Sequence, residues 1–195
     1  MRRRRRIAAV VLAAIVGAGA AAVVAGVGPL GDAVREITLP LQHEDIIRQQ
    51  AADKDLDPAL IAAVIYEESR FRDQTSHAGA RGLMQITPET AEFIARDSGG
   101  TRFTHKDLAT PQINISYGAY YLRYLLRRYD GRVELAVAAY NAGETNVNRW
   151  VAEAGGEDDF ERDEDIPFPE TASYVDNVIE RQADYRSAYS DELGL

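Results

Sequence analysis

The chain has 195 residues, with 22 Lys and Arg against 31 Asp and Glu, and it contains no cysteine. This length suits one domain of ordinary size plus a targeting segment, and the missing thiols exclude disulfide bonds and thiolate metal sites. Five of the 22 basic residues are Arg2 to Arg6, so the remainder carries 17 basic against 31 acidic residues and a formal charge of −14. We expect no nucleic-acid partner, because nucleic-acid binding requires a basic surface.

The N-terminus combines a basic run with a long apolar segment. Arg2–Arg6 precede the uncharged stretch Ile7–Leu30, which consists mainly of Ala, Val, Ile, Leu and Gly. A cleavable secretory signal has an apolar core of about 7 to 15 residues, and this longer stretch can also cross a hydrocarbon core of about 30 Å. The length favours a retained anchor, while Ala18–Ala20 keeps cleavage open. We therefore predict a signal peptide or signal-anchor helix at residues 1–30, and an extracytoplasmic protein that is membrane-anchored or secreted.

Helix-start signals recur after a predicted linker at residues 31–42. Asp57-Pro58, Thr87-Pro88 and Thr110-Pro111 each combine a capping residue with a proline at the first helical position. They predict helices that run to Ser69, to about Gly99 and to about Tyr129. Further helices are expected at residues 132–142, 144–153 and 170–190.

Strand signals are nearly absent from the sequence. Residues 72–86 contain two glycines and few helical repeats, so they predict a loop or short strand, and the hydrophilic residues 155–165 predict an acidic loop. The fold class is therefore all-α with at most a very small β element, preceded by the N-terminal transmembrane or signal helix.

Glu68 lies on the apolar face of the helix that Asp57-Pro58 opens. The positions three, four, seven and eight residues before it are all apolar, which directs its side chain towards the core. It also lies in the last turn, where the helix dipole is negative. Both effects disfavour the carboxylate and raise the pKa, as a general acid requires. On this helix alone, a partly exposed structural glutamate is an equally good interpretation. Glu67 falls on a more mixed face, nearer to solvent.

Five short motifs follow one another along the chain, and Glu68 begins the first. They are ESRF (68–71), SHAGARGLMQITP (76–88), NISYG (114–118), AYNAG (139–143) and IPFPETASYV (166–175). In order and spacing they resemble the motifs of the soluble lytic transglycosylase (SLT) domain, a branch of the lysozyme-like fold. The resemblance covers roughly residues 45 to 185. It implies a lysozyme-like SLT domain at residues 43–190, followed by a tail at 191–195.

The resemblance also implies roles for individual residues. Glu68 matches the single catalytic acid/base of the family, and Tyr140 matches a tyrosine whose hydroxyl approaches the catalytic carboxyl. Thr87 and Ala172 depart from the family, in which methionine and arginine are frequent at these positions. No metal and no cofactor are implied. The other matches contribute to the glycan cleft or its motifs: Ser76, Gln85, Asn141, Glu170 and Tyr174.

The implied reaction is cleavage of the β-1,4 bond between N-acetylmuramic acid and N-acetylglucosamine in peptidoglycan glycan strands, with a 1,6-anhydro product. One glutamate would serve as acid and base, and the 2-acetamido group of the substrate would replace a second carboxylate. A water-using muramidase of lysozyme type stays open, because Asp73 and Glu89 could lie near the cleft. A non-catalytic, membrane-anchored wall-binding module is the third hypothesis, and the intact Glu68 argues against it. We expect a monomer whose partners are glycan strands and, through the N-terminal helix, the membrane.

Several other side chains have simpler interpretations. Tyr117, Tyr120, Tyr121 and Tyr124 recur at helical spacing and form one aromatic face. Such a face can stack on sugar rings, but burial against other helices is the expected role. The sequence favours surface positions for the histidines at 77 and 105.

Overall fold

The computed structural model describes residues 29–99 and 104–195, which belong to two compact units divided after residue 41. The predicted signal or anchor segment lies, except for its last two residues, outside this range. In the first unit, helix α1 (Pro29–Thr38) spans the boundary predicted at residue 30 and includes most of the predicted linker. In the described parts of the chain, no helix is both long and apolar enough to cross a membrane.

The second unit is built from helices, as predicted. The described residues form no strand, and two isolated bridges, Thr75 with Arg81 and Arg81 with Ile86, make the very small β element in the 72–86 loop. The helices are α2 (Glu44–Lys54), α3 (Pro58–Ser69), α4 (Pro88–Asp97), a 3₁₀ helix (His105–Ala109), α5 (Pro111–Arg128), α6 (Val133–Ala142), α7 (Glu144–Ala154), α8 (Arg162–Asp165), α9 (Pro169–Ala188) and α10 (Ser190–Leu193).

Two boundaries differ from the sequence prediction. The acidic loop predicted at 155–165 ends in the short helix α8, because the Asp165 carboxylate accepts a hydrogen bond from the Glu161 backbone N–H and caps the turn. The last long helix ends at Ala188, and the predicted tail contributes α10. Its Leu193 is buried, which gives this segment an apolar contact that fixes it.

The proline-led helices begin where the sequence places them. Asp57 accepts a hydrogen bond from the Ala59 backbone N–H, and Thr87 accepts one from Thr90 N–H. Thr110 makes no side-chain cap, so α5 begins at Pro111 on the fixed proline φ alone.

Helix α3 forms the centre of the second unit. Its residues Ala59–Tyr66 are all buried, which is typical of a helix surrounded by others. Helix α9 packs along it in the opposite direction, since Tyr174 near the start of α9 bonds Glu68 while Arg186 near its end bonds Asp57. The apolar α6 packs against α5 and α9. The last turn of α3 therefore lies where α9 and α6 meet the loop that follows it.

Candidate active site

The Glu68 carboxyl lies half-buried in the last turn of α3. Its Oε1 accepts a hydrogen bond of 2.6 Å from the Tyr174 hydroxyl. Burial raises the pKa of Glu68 to about 7, the bond from Tyr174 opposes this rise, and the neighbouring charge of Glu67 adds to it. The predicted direction of the pKa shift is confirmed, and desolvation is its largest cause. A carboxyl with this pKa is populated in both protonation states at neutral pH, so it can donate a proton and take one back.

Glu67 has a different environment although it is the next residue. Its side chain is only 16% exposed, because it points towards α9 and not, as predicted, towards solvent. It accepts a 3.3 Å hydrogen bond from Asn177 Nδ2 and lies 3.9 Å from Arg181 Nε. A helical rotation of one residue thus gives the two carboxyls different neighbours.

The loop after α3 folds back as a small hairpin beside Glu68. Arg70 and Phe71 leave the helix with positive φ of 51° and 60°, which reverses the chain. Two predicted cleft residues organise the hairpin: Ser76 Oγ accepts from the Ala80 N–H, and Gln85 Nε2 donates to the carbonyl of Gly82 at 2.8 Å. Both side chains therefore have internal partners in the hairpin.

Asn114 at the start of α5 fixes the base of the hairpin. Its Oδ1 accepts from Met84 N–H at 2.8 Å, and its Nδ2 donates to the carbonyls of Arg81 and Leu108. The side chain is fully buried and uses three hydrogen bonds. A Cβ on Gly82 would lie 2.1 Å from Asn114 Nδ2, so this close approach requires glycine. Sequence analysis assigned Asn114 no site role, although the NISYG motif contains it.

Met84 connects the hairpin to the rest of the site. It is completely buried, and its sulfur would lie 2.2 Å from a Cβ on Gly118, so this glycine in α5 makes room for the thioether. The Met84 carbonyl accepts a 2.9 Å hydrogen bond from the Tyr140 hydroxyl. On the other side, Ser69 Oγ donates to the Leu83 carbonyl at 2.7 Å. Helices α3, α5 and α6 thus all hold the hairpin through its backbone.

Tyr140 and Tyr174 both lie near the Glu68 carboxyl. Sequence analysis expected the Tyr140 hydroxyl to approach the catalytic carboxyl, but the hydrogen bond to Glu68 comes from Tyr174. Tyr140 is close enough that the charge of Glu68 helps to raise its pKa. Burial is the largest cause of the raised pKa of both tyrosines, so both stay protonated and act as donors at neutral pH.

The remaining predicted residues lie near the junction of α6 and α9. The amide oxygen of Asn141 accepts a 2.8 Å hydrogen bond from Thr171 Oγ1, which ties the end of α6 to the first turn of α9. Glu170 is exposed in that same turn, four residues before Tyr174 and thus on the same face of α9. The structure therefore brings Glu68, Tyr140 and Tyr174 together, while Asn141 and Glu170 lie where α6 ends and α9 begins.

Comparison with known proteins finds similarity to lytic transglycosylases. A family model described as the transglycosylase SLT domain matches residues 45–162. The soluble lytic murein transglycosylase of Escherichia coli K12 is 32% identical over 171 residues, which are 86% of this chain and 26% of that protein.

Solved structures give the same result. The 70 kDa soluble lytic transglycosylase of Escherichia coli superposes with a TM-score of 0.74 at 30% identity, over 84% of this chain and 27% of that one. An inactive mutant of the lytic transglycosylase Slt from Pseudomonas aeruginosa superposes with a TM-score of 0.71 at 34% identity, over 78% of this chain and 25% of that one. The chain thus spans about a quarter of the length of these relatives.

Proposed function

Because the chain belongs to the transglycosylase SLT family, we propose that it is a peptidoglycan lytic transglycosylase with Glu68 as its single acid/base. One observation carries the proposal: Glu68 is half-buried, has a pKa raised to about 7 and is held by the Tyr174 hydroxyl. A general acid that later serves as the base needs a pKa near the operating pH.

In the first step, protonated Glu68 gives its proton to the oxygen that bridges N-acetylmuramic acid and N-acetylglucosamine. The bond from C1 to that oxygen breaks, and the 2-acetamido oxygen of the muramic residue bonds to C1 in its place. In the second step, the Glu68 carboxylate takes the proton of the C6 hydroxyl while O6 attacks C1 and displaces the acetamido oxygen. The 1,6-anhydro ring closes, Glu68 regains its proton, and no water is consumed.

The surrounding side chains serve this cycle without exchanging protons. Tyr174 donates to Glu68 Oε1 and orients the carboxyl. Its hydrogen bond stabilises the charged form, which offsets part of the desolvation and keeps the second step accessible. Tyr140 fixes the hairpin backbone at Met84. Ser76, Gln85, Asn141 and Glu170 are assigned to the cleft by their motif positions.

A hydrolase of lysozyme type is the second candidate. Such an enzyme uses a second carboxylate about 5 to 9.5 Å from the first. Asp73 and Glu89, the acids that could serve in this role, are both exposed. Glu67 is the neighbouring acid, and it bonds Asn177 and lies beside Arg181 on the α9 side. Because Asn177 and Arg181 engage Glu67 on the α9 side, this neighbouring acid is not placed as a second catalytic carboxylate, which supports a substrate-assisted reaction. The site also favours an enzyme over a wall-binding module, because a module needs no acid of raised pKa.

The site belongs to the compact unit that begins at residue 42. We propose that residues 43–190 are the catalytic domain and fold as a monomer without residues 1–30. The basic run and apolar segment at the N-terminus support an extracytoplasmic location, with the domain anchored to the membrane or secreted. Glycan strands are the substrate, and no cofactor is assigned to the reaction.

Mass spectrometry of fragments released from purified peptidoglycan tests the reaction. We expect fragments that end in 1,6-anhydro-muramic acid, with the Glu68→Gln protein as the inactive control. Fragments heavier by one water, with reducing ends, would show that the reaction is hydrolysis and that the protein is a muramidase. Binding to peptidoglycan without any released fragment would favour the wall-binding module.

A further inference from the structure

Four aromatic side chains form a continuous series of ring contacts that starts at the candidate site. The rings of Tyr140 and Tyr121 have centroids 5.5 Å apart. Tyr121 and Tyr124 lie 6.1 Å apart with planes within 9° of parallel. Phe93 of α4 completes the group with edge contacts of 6.2 Å to Tyr121 and 4.9 Å to Tyr124. These four residues are named the aromatic strip below.

The strip begins beside the proposed catalytic acid. Tyr140 is near enough to Glu68 to interact with the charge of its carboxylate. It also interacts electrostatically with the Tyr174 hydroxyl. From Tyr140, the ring contacts continue to two residues of α5 and end at Phe93 of α4. A ligand that leaves the carboxyl in this direction meets aromatic rings on three helices.

The rings of the strip stay partly open to solvent. All four residues are half-buried, whereas the α5 residues that serve the core, such as Leu122 and Leu125, are fully buried. The Tyr140 hydroxyl is occupied by its bond to the Met84 carbonyl, so a ligand would contact the ring of this residue. Burial against other helices is the expected role of the α5 tyrosines, and Tyr121 and Tyr124 are only partly buried. A contiguous series of four half-buried rings leaves apolar surface that a ligand can cover.

The polar groups next to the strip are already positioned. The Tyr124 hydroxyl donates to Glu144 Oε2 at 3.2 Å, which fixes the ring and holds a carboxylate at the edge of the strip. Tyr140 is fixed by its bond to the Met84 carbonyl. Ligand sites commonly combine such apolar surfaces with a few placed acceptors. A carboxylate beside flat rings suits a neutral ligand that has C–H faces and hydroxyl edges.

We propose that the aromatic strip binds the sugar rings of a glycan strand on one side of the scissile bond, from Tyr140 to Phe93. The inference rests on the proposed function and adds a determinant of chain length to it. The C–H face of a pyranose packs on an aromatic ring, and its hydroxyls reach water or Glu144. Strands long enough to cover the strip are therefore bound more tightly and cut faster than short ones.

Binding of N-acetylglucosamine oligomers of increasing length tests the strip. Calorimetric titrations use the Glu68→Gln protein, so that no oligomer is cut, alone and combined with Tyr124→Leu, Tyr124→Phe or Phe93→Leu. Tyr120→Leu is the matched control, since Tyr120 lies on the same helix and bonds Asp97, with no ring contact among the described residues. Melting temperatures establish that each variant is folded, and Phe93→Leu repeats the test if Tyr124→Leu does not fold.

We expect the Leu variants at Tyr124 and Phe93 to bind long oligomers about two- to tenfold more weakly, the scale of one aromatic contact. Binding of the shortest oligomers should be unchanged in every variant, and Tyr120→Leu should bind oligomers of all lengths like the parent. Tyr124→Phe keeps the ring but loses the bond to Glu144, so its binding of long oligomers should weaken less than that of Tyr124→Leu. Unchanged binding of long oligomers, or equal losses for short and long ones, would overturn the inference. If the parent protein released no fragments from peptidoglycan but showed this length dependence, the proposed enzymatic activity would be refuted. Glycan binding at the aromatic strip would still be supported.

Discussion

Glu67 and Glu68 are adjacent on one helix, yet the structure gives them opposite surroundings. Glu67 points towards α9, where Asn177 donates to it and the Arg181 guanidinium lies 3.9 Å away. Glu68 is half-buried beside the hairpin, and its hydrogen bond comes from the neutral Tyr174 hydroxyl. All three partners belong to α9 and lie on successive turns of that helix. The difference shows that helical rotation of about 100° decides whether a buried carboxyl meets a cation or a neutral donor.

The chemical consequence follows from this difference. Desolvation disfavours every buried carboxylate, and a neighbouring cation offsets that effect. For Glu68 the offset is only the Tyr174 hydrogen bond, and its pKa is raised to about 7. Glu67 adds its own charge to the same rise. Glu68 thus has the raised pKa of a general acid, and the charge of Glu67 contributes to that rise.

Replacing each glutamate by glutamine gives the largest contrast. Glu68→Gln keeps the size of the side chain but removes the transferable proton, so we expect activity to fall by at least about 10²- to 10⁴-fold. Glu67→Gln should lose far less, because its carboxyl takes no proton in the reaction. The loss of turbidity of wall suspensions measures both, with melting temperatures beside the parent. A folded Glu68→Gln protein that clears the suspension at the parent rate would contradict the assignment.

The stability of Glu68→Gln should depend on pH relative to the parent. The folded-state pKa of Glu68 is raised to about 7 from an ordinary value of 4.5, so the folded state binds more protons between these values. Parent stability therefore falls as pH rises from about 4.5 to 7, by up to about 3 kcal/mol for this group, and the glutamine variant lacks this loss.

Urea unfolding of the two proteins at several pH values checks this prediction. The advantage of the variant should grow between about pH 4.5 and 7 and then stay level. Glu67→Gln is the control for the removal of a carboxyl as such. A difference that does not change with pH would mean that burial does not perturb Glu68.

Removing the Tyr174 hydroxyl should produce an intermediate effect. The hydrogen bond from Tyr174 lowers the pKa of Glu68, so in Tyr174→Phe the pKa rises further and the base form becomes scarcer. We expect activity to fall about tenfold or more, with the pH optimum moved upwards. Tyr140→Phe, which loses a bond to a backbone carbonyl, should leave the pH optimum in place. The same upward shift in both variants would mean that Tyr174 has no special role.

The smallest effect concerns the charge of Glu67. Because this charge raises the pKa of Glu68, Glu67→Gln should lower that pKa and move the pH–activity profile downwards by a fraction of a unit. The profile of Arg181→Met, which removes the cation beside Glu67, should move the other way. Shifts in one common direction would show that the two carboxyls do not interact as described.

The sequence predicts a large part of this arrangement. The cap at Asp57 and the apolar positions before Glu68 are local features, so they place α3 and turn Glu68 inwards without tertiary information. Local pattern also predicts a loop or short strand at residues 72–86, where the structure has the small hairpin, since glycines interrupt the helical period there. The residues that the motifs assign to the cleft lie on the hairpin, at the end of α6 and in the first half of α9.

Long-range partners are the part that the sequence does not predict. Which tyrosine bonds Glu68 depends on how α9 packs against α3. Tyr174 and Glu68 are 106 residues apart in sequence, and no local periodicity predicts how these two helices pack. The burial of Glu67 has the same origin, because its cover comes from α9. Asn114 is similar: its three bonds to the hairpin and the 3₁₀ helix arise only when distant segments meet. A polar residue at the start of an amphipathic helix is otherwise indistinguishable from a surface one.

Direct titration of the Glu68 carboxyl tests the central claim, that this site converts a glutamate into an acid active near neutral pH. Carbon-13 labelling of glutamate side chains and nuclear magnetic resonance from pH 3 to 9 would follow each carboxyl, with the spectrum of Glu68→Gln identifying the resonance. The account predicts a midpoint for Glu68 of about 7. A midpoint near the ordinary glutamate value of 4.5 would contradict it, because an ionised Glu68 could not donate the first proton.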